Sequence, residues 1–190
     1  MNSEALQLRD AIHQKPDAIK LLYERHAPSL LSLCLRYCGN IEDAEDVLHD
    51  GFIKIIQRLH TFKSRENGSF TGWMKRIMVN TSLNYLRDRS KENKFLDIDP
   101  LVEKIIIEEE DETESMINPD RYSKEMIMKM ICELPAGYRT VFNMYVFEDY
   151  SHREIAEILN FSENTSKSQL SKARALLKKK LNQVMTRQKT

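Results

Sequence analysis

Residues 151–181 read SHREIAEILNFSENTSKSQLSKARALLKKKL, and the punctuation of this stretch decides the fold. Ser151 followed three residues later by Glu154 forms a capping box. The hydroxyl and the carboxylate each serve a backbone N–H that the first turn of a helix leaves without a partner. Ile155, Ala156, Ile158 and Leu159 then give that helix an apolar face. Asn160 stands where the chain must reverse, and asparagine tolerates the left-handed backbone region better than most residues with a Cβ. Ser162 is a natural N-cap for a second helix. In that helix Leu170, Ala173, Leu177 and Leu181 recur at inward spacing. Asn164, Lys167, Ser168, Ser171 and Lys172 recur at i, i+3, i+4, i+7 and i+8 and face outward. A short helix, a brief turn and a second helix with donors along one side make the pattern of a helix-turn-helix, whose second helix lies in the DNA major groove. An ordinary helical hairpin with a solvated polar face is the competing reading of this stretch alone.

Working outward, the 190 residues include only five glycines and five prolines and no alternating β-branched runs, which predicts an all-α protein. Residues 17–38 form an apolar-rich helical stretch, with a break expected near Pro28 and an end at Gly39-Asn40. A second helix begins near Glu42, with a core stripe of Ala44, Val47, Leu48, Gly51, Phe52, Ile55 and Leu59. The polar stretch KSRENGS, 63–69, reads as a loop. A third helix runs from about Phe70 to Arg89, with Met74, Ile77, Met78, Thr81 and Tyr85 on one side. Trp73, Arg76, Asn80, Asn84 and Arg87 occupy the other. Residues 91–122 carry eleven acidic residues against four basic ones, including the run EEEDETE at 108–114, and read as a flexible acidic linker. The expected organisation is therefore two small helical domains, 1–90 and 123–190, joined by the acidic linker 91–122.

The formal net charge is zero, but from Ser162 to the end eight basic residues meet a single acidic one. Such a tail suits phosphate contacts, which add affinity and make it sensitive to salt. No run of about 18 apolar residues exists to span a membrane. The opening MNSEALQLRDAI has no hydrophobic signal core, so a cytoplasmic protein is expected. Cys34, Cys38 and Cys132 read as reduced thiols, the first two as core packing. Glu42, Asp43, Glu45, Asp46 and Asp50 cluster around His49, yet neither Glu-x-x-His pairs nor an EF-hand spacing accompanies them, so no metal is expected. A protein-docking surface fits better, because Asp46, His49, Asp50 and Ile56 can share or adjoin one helix face. There is no GxSxG, Walker loop or CxxC pair, and the five histidines are scattered, so neither catalytic residues nor a cofactor are expected. On the third helix, Trp73, Arg76 and Asn80 at i, i+3, i+7 set an aromatic, a cation and an amide together. Those groups can stack on an unpaired base, hold a phosphate and hydrogen-bond a base edge. The loop before them could wall a pocket for an extruded base.

These residues together carry a family resemblance. DAEDVLHDGFIKIIQRLHTF (43–62) followed by FTGWMKRIMVNTSLNYLRDR (70–89) resembles sigma domain 2 of the extracytoplasmic-function (ECF) group of bacterial sigma factors, within the sigma-70 family. LPAGYRTVFNMYVFEDYSHREIAEILNFSENTSKSQLSKARALLKKKL (134–181) resembles sigma domain 4 of the same group. The resemblance implies a non-enzymatic promoter-specificity subunit that joins core RNA polymerase. It places Asp46, His49, Asp50, Phe52 and Ile56 where the family docks on the clamp helices of the β′ subunit. It places Asn80 where the −10 element is read, with Trp73, Arg76 and Asn84 on the same face. Residues 63–70 fall at the loop that helps capture a −10 base, and Asn164, Lys167, Ser168, Ser171 and Lys172 fall at the −35 reader. Contact of domain 4 with the β flap, an acidic linker threading the polymerase channels, and an anti-sigma protein as a further partner are also implied. The family's common Gly-Thr-Val opening of the recognition helix is Asn164-Thr165-Ser166 here, and its Arg at the next positions becomes Lys167 and Gln169. Lysine lacks the bidentate fork with which arginine reads guanine, so the preferred −35 sequence should be sought at these positions. The rival readings are an autonomous helix-turn-helix regulator, which binds promoter duplex without polymerase, and a helical metal enzyme.

Overall fold

In the computed structural model, residues 10–63, 69–92 and 123–187 are described. The chain divides into two compact units, Met1–Arg89 and Ser90–Thr190, and every regular element among the described residues is helical. Residues 93–122, which hold the acidic run, and 64–68 of the expected loop lie outside the described residues.

The first unit is built from α1 (Pro16–Cys38), α2 (Ile41–Arg58), a 3-10 turn (Leu59–Thr61) and α3 (Phe70–Glu92). Pro16 opens α1 where a helix tolerates a missing N–H. Gly39 ends it with φ 87°, a left-handed conformation that glycine adopts without steric cost, and its N–H reaches Leu35 O at 2.9 Å. Asn40 begins α2 at once, its side chain accepting from the Asp43 N–H at 2.9 Å. Two residues thus stop one helix and start the next, which folds α1 back onto α2.

The expected break at Pro28 does not occur: α1 continues through it. An interior proline costs a helix about 3 kcal/mol. Ala27, Leu30, Leu33, Cys34 and Tyr37, on the stripe spanning that proline, are all buried, and each large apolar side chain contributes roughly 1.5–3 kcal/mol. Burial on that scale outweighs the local defect. Hydroxyls also bond carbonyls around it, Ser29 to His26 O at 3.0 Å and Ser32 to Pro28 O at 3.1 Å.

Leu30, Leu33 and Tyr37 of α1, Val47 and Ile55 of α2, and Met74, Met78 and Val79 of α3 all have almost no solvent access and make up the core of this unit. Gly51 lets α2 and α3 approach, because a Cβ there would collide with the thioether of Met78. Cys34 and Cys38 are free and buried. Burial pushes the Cys34 thiol up to about 12, so it is a protonated packing group rather than a nucleophile. At the end of this unit Arg89 donates to Asp43 and, at 2.7 Å, to the Tyr85 hydroxyl, tying the C-terminal part of α3 to the start of α2. Burial alone would raise the Asp43 pKa. Hydrogen bonds from Tyr85 and Asn40, with the Arg89 charge, overcome that and hold it below the usual carboxylate value.

The second unit contains α4 (Lys124–Cys132), α5 (Ala136–Val146), α6 (His152–Leu159) and α7 (Glu163–Arg187). Leu134, Tyr138 and Ala173 form a core cluster, with Phe142, Leu176 and Leu177 packed against it. Arg139 is buried, but its guanidinium donates to Cys132 O at 2.7 Å and Leu134 O at 3.0 Å. Those bonds give the buried guanidinium N–H groups acceptors and tie α5 to the turn that precedes it.

Candidate nucleic-acid interface

The helix-turn-helix of the second unit is assembled by local signals. The Ser151 N–H donates to Glu154 Oε2 at 2.8 Å and the Glu154 N–H donates to Ser151 Oγ at 3.3 Å, closing both halves of the capping box. The Ser151 hydroxyl and N–H also hold the Glu154 carboxyl below its ordinary pKa. Asn160 adopts φ 58° and ψ 49°, the left-handed turn that ends α6. Ser162 Oγ accepts from the Thr165 N–H at 3.0 Å to start α7. Three polar side chains therefore define the start, the stop and the restart.

Around α7, Leu170 and Ala173 point into the unit, joined by Ser166 and Gln169. Asn164, Lys167, Ser168 and Ser171 are exposed along one stripe, and Lys172 is half-buried beside them. Lys167 pairs with Glu163 at 2.9 Å, with both side chains about half exposed. Such surface pairs are worth little, so this lysine can exchange its carboxylate for a phosphate. Gln169 is turned inward rather than towards this stripe. The sequence marked Ser166 only as a departure from the family's valine, not as an inner residue; it is 0% exposed and stands 2.9 Å from His152 Nδ1. Its signal was present, because it falls three, four and seven residues before Gln169, Leu170 and Ala173 on the inner stripe.

In the first unit Arg76, Asn80 and Asn84 are exposed one turn apart along α3. Trp73 does not join them, which corrects the expected face: it is 8% exposed. Its ring packs against Phe62 and Phe70, with centroids 5.5 and 5.7 Å away, and those two rings lie 5.1 Å apart. Trp73 sits in the first turn of α3, where the incoming chain and the end of the preceding turn supply apolar partners that helical periodicity alone does not reveal. The largest apolar side chain goes to those partners rather than to water.

On α2, Asp46, His49 and Asp50 are exposed and Ile56 is half-buried. Phe52 is only 4% exposed, and its ring meets Tyr23 edge-on at 4.8 Å. Helical spacing had put it in the core stripe and the family resemblance in the docking set; the structure buries it in the core. The exposed apolar member of this face is Ile53, 52% exposed and in helical register with Asp46, His49 and Asp50. It was overlooked although the same i, i+3, i+4, i+7 spacing contains it. Among the described residues no group of histidine, cysteine or carboxylate side chains is arranged to hold a metal ion.

Comparison with known proteins converges on the same two segments. Residues 22–92 match the family model for Sigma-70 region 2, and residues 124–177 match that for Sigma-70, region 4. The ECF RNA polymerase sigma factor SigW of Bacillus subtilis is 28% identical over 170 residues, covering 87% of this chain and 89% of its own. The ECF RNA polymerase sigma-E factor of Escherichia coli K12 is 28% identical over 181 residues, covering 92% and 93%. A solved structure of the sigma factor RpoE with the anti-sigma factor NepR from Bartonella quintana superposes with a TM-score of 0.49 at 21% identity, covering 87% of this chain and 96% of that one.

Proposed function

This chain belongs to the ECF group of the sigma-70 family, and we propose that it divides promoter recognition between two exposed polar stripes, one in each unit. As a sigma factor it binds core RNA polymerase, directs promoter-specific initiation and carries no catalytic site of its own. In our assignment Asn164, Lys167, Ser168, Ser171 and Lys172 read the −35 duplex from the major groove. Arg76, Asn80 and Asn84 contact the −10 strand, with Trp73 buried against Phe62 and Phe70 at the start of the same helix. Asp46, His49, Asp50, Ile53 and Ile56 dock on the β′ clamp helices, and Phe52 stiffens that face from beneath. The second unit also contacts the β flap. The domains extend over 1–90 and 123–190, with 91–122 as the tether. Core RNA polymerase works in the bacterial cytoplasm, and we place the chain there. An anti-sigma protein is the further partner that membership of this group implies.

The observation that supports the reading most is the capped helix-turn-helix with its exposed donors on α7, in a chain that also carries the region 2 match. In vitro transcription with core polymerase and a promoter library tests it and reads both elements at once. An autonomous regulator would instead bind promoter duplex tightly without core enzyme. Within that assay Asn80→Ala is expected to lower −10 discrimination by about tenfold, as loss of a good base contact does. Core binding should stay near wild type, and its loss would show that the assigned face is wrong.

A further inference from the structure

Ser166 lies on the side of α7 opposite Asn164, Ser168 and Ser171, and it is 0% exposed. A hydroxyl in that position is costly unless it is bonded. Its partner is His152, the first residue of α6, with Nδ1 2.9 Å from Oγ. The imidazole is held in turn: it stacks on Tyr145 of α5 with centroids 4.6 Å apart and planes at 24°. The Arg174 guanidinium, from the next turns of α7, lies over the same Tyr145 ring at 5.8 Å. A chain of contacts therefore runs from α7 through Ser166 to His152, on to Tyr145, and back to α7 through Arg174. Directional contacts at two heights on one helix fix its rotation about its own axis, which apolar packing constrains much less sharply. Rotation decides which side chains of the opposite stripe meet the base edges.

We propose that His152 and Ser166 are positioning residues for −35 recognition, their hydrogen bond setting the rotation at which Lys167, Ser168, Ser171 and Lys172 are presented to DNA. The inference rests on the assignment of α7 as the −35 reader. Neither residue touches DNA in this scheme; both act through the helix they orient. The apolar valine common in the family at the Ser166 position could fill the same space but could make no bond to His152.

The test is transcription by the holoenzyme from two promoters that share a −10 element, one with the preferred −35 element and one with it scrambled. Ser166→Ala removes only the hydroxyl, and His152→Phe keeps a ring on Tyr145 but loses the nitrogen. Each is expected to reduce the ratio between the two promoters about fivefold, the scale of one hydrogen bond. The double variant should do no worse than either alone. His152→Asn places an amide near the Nδ1 position and loses the stack, and it should retain most of the ratio. A role in packing alone predicts the reverse order, with Phe better than Asn, and that result overturns the proposal. So does a Ser166→Ala ratio equal to wild type while circular dichroism shows the fold intact. A wild-type holoenzyme with no −35 dependence at all overturns the assignment of α7, and this inference with it.

Discussion

The two units hold their shape by different means. In the first, α1, α2 and α3 share a core in which Leu30, Leu33, Tyr37, Ile55, Met74 and Met78 have almost no solvent access, and a proline inside α1 is simply absorbed. In the second, the helices are short apart from α7, and Ser151, Asn160 and Ser162 set their limits by local bonds and backbone conformation. Deep burial tolerates local faults, whereas short capped helices depend on each punctuation mark. The stripe we assign to the −10 element is thus mounted on a slab, and the stripe we assign to the −35 element on a set of joints.

That contrast is open to measurement, and the largest effect belongs to the slab. Ile55→Ala should cost about 2–5 kcal/mol, the range for emptying a buried aliphatic site. Trp73 is the only tryptophan and lies in this unit, so its fluorescence in a urea titration reports the loss directly. A cost under about 1 kcal/mol, the scale of an exposed site, would break the contrast. Next comes the turn: Asn160→Val should cost about 1–2 kcal/mol, because a β-branched residue resists the left-handed conformation, while Asn160→Gly should cost nothing. Equal losses from both, measured by thermal melting of the far-ultraviolet signal, would mean that side-chain contacts rather than backbone conformation fix the turn. Ser151→Ala should cost about 1 kcal/mol by removing a cap, read in the same melts.

The smallest effect concerns pH. The folded Asp43 carboxyl sits below its unfolded value, so its contribution is complete at neutral pH. It declines as the pH falls below the ordinary carboxylate value and through the lowered one. Arg89 is about half exposed, which keeps this contribution below about 1 kcal/mol. Urea midpoints between pH 7 and pH 3 should fall less steeply for Asp43→Asn than for the wild type; parallel curves would remove the Asp43 network from the account.

How legible each unit was in the sequence follows from the same contrast. Caps and turns are written within three or four residues, so Ser151–Glu154, Asn160 and Ser162 could be read directly. The stripe from Asn164 to Lys172 followed from one helical period. Trp73 and Pro28 could not be placed that way, because distant apolar partners decide their surroundings, whereas spacing put Phe52 in the core and only the family resemblance drew it to the docking face. Trp73 shares a helical face with Arg76 and Asn80 and is nevertheless drawn inward by Phe62 and Phe70. Ile53 escaped notice for the opposite reason, since an apolar residue near a core stripe looks like core until the structure shows it outside. The His152–Ser166 contact links two helices, and no spacing rule within one helix announces it.

The contact between Phe62 and Phe70 has an evolutionary consequence. These rings bracket residues 63–69 in the sequence, and their contact at 5.1 Å has already fixed the distance between the two ends. For a chain segment with anchored ends, doubling the number of residues adds only about 0.6 kcal/mol of closure cost. The seven positions between the rings can therefore be lengthened, shortened or rewritten with little risk to the helices behind them. If that segment helps to choose a promoter, selection can retune the choice as an exchangeable cassette while the machinery that grips the polymerase stays constant.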